Sequence, residues 1–369
     1  MVTNKEMKIL FLMDSRATYS YSKNVLIHFK NKKKIKILVT GNYLDKRFGI
    51  NLKQFSNDGI TINDKIFFKS PKYEKNSWSL SLGNAIKEFS KKLKKIDPSL
   101  IVVTGDRIET LGMTLAAAYM NIPIAHIQAG DKSGHIDDLS RSAIAKFSNI
   151  HFSSCKDSTS RLRKWGEESS RIFEVGAPQL DDIKKVAKLK KNKNDNFVVL
   201  FHPVLNENEK IIYQMRNLIN VFKKFKNKIY WIYPNNDFGF QLVLKLLKKN
   251  NLKNIEIIKN LDRDKFIDLL STSKLLIGNS SCGIIEAASF RLPVINIGNR
   301  QAGRPQSKNI VNSGHSTKEI ERKVNYALSE KFKKKCSNVK NIYYKKNSGY
   351  LTYKVLNQLN VNSKILKKY

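Results

Sequence analysis

Residues 274–298 read KLLIGNSSCGIIEAASFRLPVINIG. An apolar run predicts a short buried strand. The small-residue turn Gly278-Asn279-Ser280-Ser281-Cys282-Gly283 follows, then a helix opening near Ile284, then a second apolar run that predicts another strand. Strand, turn, helix and strand in so short a stretch describe a βαβ unit with parallel strands. The small residues let backbone N–H groups approach an anion where unpaired donors and the helix dipole favour negative charge, and Ser280 and Ser281 add hydroxyls. No Gly-Lys-Ser/Thr follows, so the turn is not a Walker loop. Glu286, one turn into the helix, can accept hydrogen bonds from ribose hydroxyls; equally, it can be a first-turn carboxylate that complements the dipole. Arg300 and Arg304, in NIGNRQAGRPQ (296–306), can neutralise a diphosphate with their planar, permanently charged forks, or be ordinary loop arginines.

The same alternation extends outward in both directions. Upstream, KILFLM, KIKILVT, LIVVTG, PIAHIQAG, IHFSS and IFEVG read as buried strands, separated by helical stretches such as WSLSLGNAIKEFSKKLKKI and TLGMTLAAAYMN. A second series, FVVLFHP, KIYWIYP, IEIIKN, KLLIGNSS and LPVINIG, begins after a Lys/Asn-rich connection near 185–196. The expected architecture is α/β: two Rossmann-like doubly wound domains, 1–185 and 186–369, facing a cleft into which the carboxyl ends of their strands open. The helix-like tail YLTYKVLNQLNVNSKILKKY is expected to pack back on the first domain.

The length of 369 residues allows two such cores. Lys+Arg 68 against Asp+Glu 31 gives a net charge of +37, which raises the question of nucleic acid. The lysines are spread along the chain beside Asn and Ile, without an RGG tract, zinc-finger spacing or an aromatic-spaced basic ladder, so they read as solvated faces and no nucleic-acid partner is expected. No apolar run of about 18 residues is present, and no cleavage site follows the first apolar stretch, so no membrane partner and a cytoplasmic location are expected. Cys155, Cys282 and Cys336 are widely spaced, and no two histidines have ligand spacing; neither disulfides nor a metal are expected.

Within the first domain, LIVVTGDRIETLG places Asp106 and Arg107 directly after a buried strand, where a carboxylate is costly unless it is paired or functional. The next strand feeds a loop holding Gln128, Asp131, Asp137, Asp138 and Arg141. Such a loop fits acid/base chemistry, although Asp137 or Asp138 can equally cap the helix through Ser140 to Phe147. His126, inside the strand, reads as a core histidine. His202, in FHP at the end of the second domain's first strand, is the better functional candidate.

Six motifs now stand in order: SRATYSYSK, GDRIETLG, AHIQAGDKSGHIDDLSR, FHP, GNSSCGIIEA and NIGNRQAGR. Their order and spacing, over nearly the whole chain, resemble the UDP-N-acetylglucosamine 2-epimerases. GDR and SGHIDD resemble the hydrolysing branch, the type found in sialic- and legionaminic-acid pathways. The resemblance implies the two-domain architecture called GT-B, a UDP-sugar substrate, no cofactor, and a homodimer or homotetramer. It also implies a reaction: removal of the C2 proton with loss of UDP from C1, then hydration of the glycal to the C2-inverted free sugar. Residue by residue, Asp106 falls on the catalytic aspartate and Asp137 on a second acid/base carboxylate, with Arg141 beside it. Arg16, Ser20, Arg107, His202, Ser280, Ser281, Glu286 and Arg300 fall on positions that hold the UDP.

Two departures stand out. Gln128 occupies the place of a family glutamate and cannot exchange a proton at neutral pH, so Asp131 is a candidate replacement. The family's RADY becomes Arg16-Ala17-Thr18-Tyr19. Both losses are expected to lie on the sugar-facing side, and so imply a hexose other than N-acetylglucosamine, such as a 2,4-diacetamido-trideoxyhexose. The alternatives are a non-hydrolysing epimerase and a GT-B glycosyltransferase.

Overall fold

A computed structural model of the chain describes residues 7–29, 34–46, 52–67, 77–134, 136–183, 194–204, 207, 210–235, 237, 239–250, 252–359, 365 and 367. It divides into two compact units, one of Met1–Asp131, Asp137–Asp181 and Tyr343–Tyr369, the other of Lys132–Ile136 and Asp182–Ile342. The division therefore falls at Asp181/Asp182 rather than at 185/186, and the last stretch of chain is counted with the first unit. Most of the Lys/Asn-rich connection lies outside the described residues.

The first unit carries strands β1 (Ile9–Met13), β2 (Ile35–Val39), β3 (Asp64–Lys65), β4 (Leu100–Thr104), β5 (Ile124–Ala129), β6 (Ile150–Ser153) and β7 (Ile172–Glu174), with helices α1 (Arg16–Leu26), α2 (Lys53–Asn57), α3 (Ser77–Ile96), α4 (Ile108–Tyr119), α5 (Asp137–Phe147) and α6 (Lys156–Lys164). Its seven-stranded sheet has the order β3-β2-β1-β4-β5-β6-β7. Every pairing is parallel, with Ile9 opposite both Ile35 and Leu100. Strands covered on both faces need apolar side chains nearly throughout, which is why β1 is an unbroken apolar run and β4 is apolar up to its last residue, Thr104, both buried at every position. The order reverses between β1 and β4, so the residues just beyond these two strands line the crevice where doubly wound sheets bind ligands.

The second unit has β8 (Asn196–Leu200), β9 (Lys228–Ile232), β10 (Ile255–Ile258), β11 (Leu275–Gly278), β12 (Val294–Ile297) and β13 (Ile310–Ser313), in the order β10-β9-β8-β11-β12-β13. Its helices are α7 (Ile211–Phe222), α8 (Phe240–Asn250), α9 (Arg263–Thr272), α10 (Ser281–Ile285), α11 (Thr317–Leu328) and α12 (Glu330–Ser337). Here the switch point lies between β8 and β11. Gly278 has φ +141, and a Cβ there would sit 1.9 Å from the Leu200 carbonyl oxygen, so only glycine lets the two strand ends meet. β3 and β13 are strands that the sequence reading did not anticipate, and α10 opens at Ser281, three residues before the expected Ile284.

The C-terminal helix α13 (Ser348–Gln358) packs on α1 within the first unit. The Phe29 and Tyr353 rings meet edge-on at 4.8 Å. The Asp181 carboxylate accepts the N–H groups of Ser348 at 3.3 Å and Gly349 at 2.7 Å, satisfying donors that the helix start leaves open. Among the described residues no helix is long and apolar enough to cross a membrane.

Beyond α13, Lys367 places its ammonium 2.6 Å from the buried carboxylate of Glu167, which also takes His151 Nε2 at 3.0 Å. Burial works against the Glu167 charge, but the bonds from His151 and Lys367 outweigh it and hold its pKa down at about 2. A depressed carboxyl pKa stabilises the fold above the unfolded value, and the contribution is lost as the pH falls through the folded one. That contribution is lost between about pH 4.5 and pH 2. Urea unfolding followed against pH should show that loss in the native chain and a flattened profile over the same window in Glu167→Gln. An unaltered profile in the variant would remove Glu167 from the acid response.

Candidate active site

In the first unit the chain turns sharply after β4. Gly105 leads to Asp106, and Arg107 is the extended N-cap residue of α4. Asp106 Oδ2 accepts a charge-assisted bond from Arg141 Nη2. Arg141, buried on α5, also donates from Nη1 to the Asp131 carbonyl at 3.1 Å and lies 3.6 Å from Asp138. A buried guanidinium thus fixes the carboxylate that follows β4. Asp137, half-buried, is the first residue of the helix that carries this arginine. His126 donates from Nε2 to the Gly105 carbonyl at 2.7 Å, and burial pushes its pKa down to about 3, so it is a neutral core residue bracing this turn.

Gln128 ends β5 at a bulge, with φ +65, a left-handed conformation uncommon for a side-chain-bearing residue. Its Nε2 donates to the Tyr21 hydroxyl and lies 3.5 Å from Asp131 Oδ2. Asp131 is buried; its Oδ1 accepts from Ser154 at 2.5 Å and Ser158 at 2.6 Å. That carboxylate anchors the loop to the start of α6. Tyr21 was not singled out from the sequence, where it reads as one aromatic on an amphipathic helix.

At the end of β1, Ser15 and Thr18 form a capping box. The Thr18 hydroxyl accepts from the Ser15 N–H at 3.0 Å and donates to the Ser15 carbonyl at 2.7 Å. Thr18 is buried, and its hydroxyl closes this cap. Arg16 opens α1, where burial pulls its pKa down against the field of Tyr43. Ser20 turns its hydroxyl back to the Arg16 carbonyl at 2.9 Å. Arg107 Nε lies 3.4 Å from Glu109 and 3.9 Å from Asp14. Asp14 is fully buried, and that burial raises its pKa to about 6 despite Arg107 and a 2.8 Å bond from Thr110. The argument that singles out Asp106, a carboxylate directly after a buried strand, applies equally to Asp14.

The second unit gathers its candidates around Asn279. The Asn279 side chain accepts the His202 N–H at 2.7 Å and donates to the His202 carbonyl at 2.8 Å, locking the ends of β8 and β11 together. His202 Nδ1 accepts the Asn235 N–H at 3.1 Å, which leaves the proton on Nε2. Arg300 donates to the Asn279 carbonyl at 3.2 Å and pairs with Asp237 at 3.4 Å; Asp237 also lies 3.9 Å from His202. Arg304 is buried in the same loop. Ser280 is the N-cap residue of α10 and Ser281 its first residue, both half-buried. Cys282 behind them is buried, which pushes its thiol up to about 12. Glu286 is the C-cap residue of α10, not a first-turn residue, so it does not complement the dipole at the start of that helix. Instead it accepts a 2.6 Å bond from Arg263, a residue the sequence reading did not reach. The loop after β12 also borders a cavity of about 510 Å³ whose lining includes Asn299, Glu207 and His315. Among the described residues no cluster of His, Cys, Asp and Glu could hold a metal ion.

Two doubly wound parallel domains, one with an arginine-held strand-end carboxylate and the other with a small-residue turn, a histidine and buried arginines, define an α/β enzyme of the GT-B type. The chain belongs to the UDP-N-acetylglucosamine 2-epimerase family, whose model matches residues 27–357. It is 33% identical over 320 residues to the UDP-N,N'-diacetylbacillosamine 2-epimerase (hydrolyzing) of Legionella pneumophila, with 82% of this chain and 84% of that one covered. To the UDP-N-acetylglucosamine 2-epimerase of Neisseria meningitidis serogroup B it is 28% identical over 324 residues, with 85% of each chain covered. The crystal structure of a UDP-GlcNAc 2-epimerase from Neisseria meningitidis bound to UDP-GlcNAc shares the fold, with a TM-score of 0.79 at 19% identity over 96% of this chain and 100% of that one.

If Asp131 is an anchor, Asp131→Ala strands two buried serine hydroxyls and should lower stability by about 1–3 kcal/mol. An unchanged urea midpoint would show that those bonds do not hold the loop.

Proposed function

We propose that the chain is a hydrolysing UDP-sugar 2-epimerase that acts on UDP-2,4-diacetamido-2,4,6-trideoxyglucose, the UDP-N,N'-diacetylbacillosamine of the Legionella relative's name. In this reading the second unit binds UDP and the first supplies the proton-transfer groups. The base takes the C2 proton, the C1–O bond breaks with its electrons leaving on UDP, and a C1–C2 double bond forms. Water then adds at C1 and a proton returns to C2 from the opposite face, releasing UDP and the inverted reducing sugar for nonulosonic acid biosynthesis.

The observation that carries the reading is the Asp106–Arg141 pair beyond β4. The buried arginine orients Asp106, and Asp137 lies one turn before Arg141 on the same helix. We assign proton transfer to Asp106 and Asp137 and hydrogen bonding alone to Gln128, whose amide has donors and an acceptor but no exchangeable acid at neutral pH. In the second unit His202 Nε2–H, Ser280, Ser281 and Arg300 are donors suited to the diphosphate, with Glu286 an acceptor for ribose hydroxyls; in the first unit Arg16, Ser20 and Arg107 are donors of the same kind. The amide at Gln128 supports the diacetamido sugar, since an amide can serve a second acetamido group where a carboxylate is not required.

The test is proton NMR in deuterated water with UDP-N-acetylglucosamine and UDP-2,4-diacetamido-2,4,6-trideoxyglucose as separate substrates. Expected is free UDP with a C2-deuterated, C2-inverted sugar, formed faster from the diacetamido compound. An inverted sugar still bound to UDP would make the enzyme non-hydrolysing, and no reaction without an acceptor would make it a glycosyltransferase. Full turnover of UDP-N-acetylglucosamine with none of the analogue would overturn the substrate assignment. In Asp106→Asn the rate should fall by about 10²–10⁴ while UDP affinity, by calorimetry, stays close to native; normal turnover would remove Asp106 from the chemistry.

A further inference from the structure

We infer that Arg263 and Asp182 are positioning residues for Glu286, a buried relay that sets the angle at which that carboxylate meets the ribose. The inference rests on the reading of the second unit as the UDP site. Arg263 is the first residue of α9 and is buried, as are Asp182 and Glu286. Its Nη1 donates to Glu286 Oε2 at 2.6 Å, and its Nε lies 3.5 Å from Asp182 Oδ2. Burial works against the guanidinium charge, but the fields of Glu286 and Asp182 outweigh it and hold its pKa above the ordinary value.

The arrangement is costly unless it serves the site. One buried cation between two buried carboxylates leaves a net negative charge, and a buried ion pair is often no more stabilising than apolar side chains of the same volume. What it does fix is direction. One oxygen of Glu286 is committed to Arg263, so the carboxylate plane is set and the rest of the group is turned to its small exposed fraction, 11%. Glu286 sits at the joint between α10 and the 3₁₀ turn Ala287–Phe290, where its N–H donates to the Cys282 carbonyl at 2.9 Å; such backbone bonds fix the main chain and leave the side-chain rotamer to be defined by the group's own contacts. Arg263 supplies that definition, and Asp182 fixes Arg263 from the other side. The task needs arginine, because its fork can meet two carboxylates from separate segments at once, whereas lysine offers a single centre.

The readout is ribose discrimination: calorimetric Kd values for UDP, 2'-deoxy-UDP and 3'-deoxy-UDP on the full chain and on Glu286→Gln, Arg263→Lys, Arg263→Met and Asp182→Asn. The native chain should prefer UDP to at least one deoxy analogue by about tenfold. Arg263→Met should reduce that preference to the level of Glu286→Gln, and the double variant should lose nothing more. Asp182→Asn should fall between, and it keeps the test decisive if Arg263→Met does not fold. Arg263→Lys should restore UDP affinity only in part. A folded Arg263→Met or Asp182→Asn with the native ratio overturns the relay while leaving UDP binding in place. A native chain that binds UDP without ribose preference overturns the role of Glu286 and the relay with it, and one that does not bind UDP overturns the reading of the whole unit.

Discussion

A carboxylate at the end of a strand buried on both faces has lost most of its water, and the protein must replace that solvation with something fixed. This constraint organises the first unit. Asp106 is answered by Arg141, and Asp14 by Thr110 with Arg107 nearby; each partner arrives on a helix that the parallel topology returns to the same end of the sheet. In the second unit Glu286, beyond β11, is answered by Arg263. Compensation by a rigid partner leaves an oriented charge, the kind of preorganised group that a polar reaction uses without reorganising solvent.

The same logic explains how a chain of net charge +37 keeps a selective interior. None of the described lysines is buried, whereas Arg141, Arg263, Arg300 and Arg304 are. Arginine is more weakly hydrated than an ammonium and divides its charge over a planar fork, so it can enter where carboxylates or a diphosphate wait; lysine keeps its head in water. The basic excess is therefore mostly solvated surface. The buried cations are a few arginines whose positions the abundance of lysine obscures.

Periodicity made the two parallel sheets legible, because strands covered on both faces must be apolar throughout and the helices between them amphipathic. Strands β3 and β13 escaped, the first being two residues long and the second alternating in exposure at a sheet edge. Within the site, the placement of a carboxylate after a buried strand pointed to Asp106 but was not applied to Asp14. The pairing of Glu286 with Arg263 was out of reach, since the partners are 23 residues apart and Asp182 lies 81 residues from the same arginine. Thr18, which differs from the family pattern, has a local task that the pattern does not display: its hydroxyl closes a helix cap. Motif comparison registers the difference, and only the local hydrogen bonds say what the position does.

The loop after β5 connects these points. Gln128 holds a left-handed backbone angle that costs about 1–3 kcal/mol, a cost carried only where the surroundings over-determine the conformation. They do so here. Tyr21 holds the amide, Asp131 takes two serine hydroxyls from the start of α6, and Arg161 donates to the Gly130 carbonyl at 2.5 Å. With residues 128–131 braced in this way, the loop behaves as scaffold, and Arg141 reads its position through the Asp131 carbonyl while holding Asp106. An amide in place of an ionisable group at position 128 then leaves intact the scaffold that positions the carboxylate of Asp106.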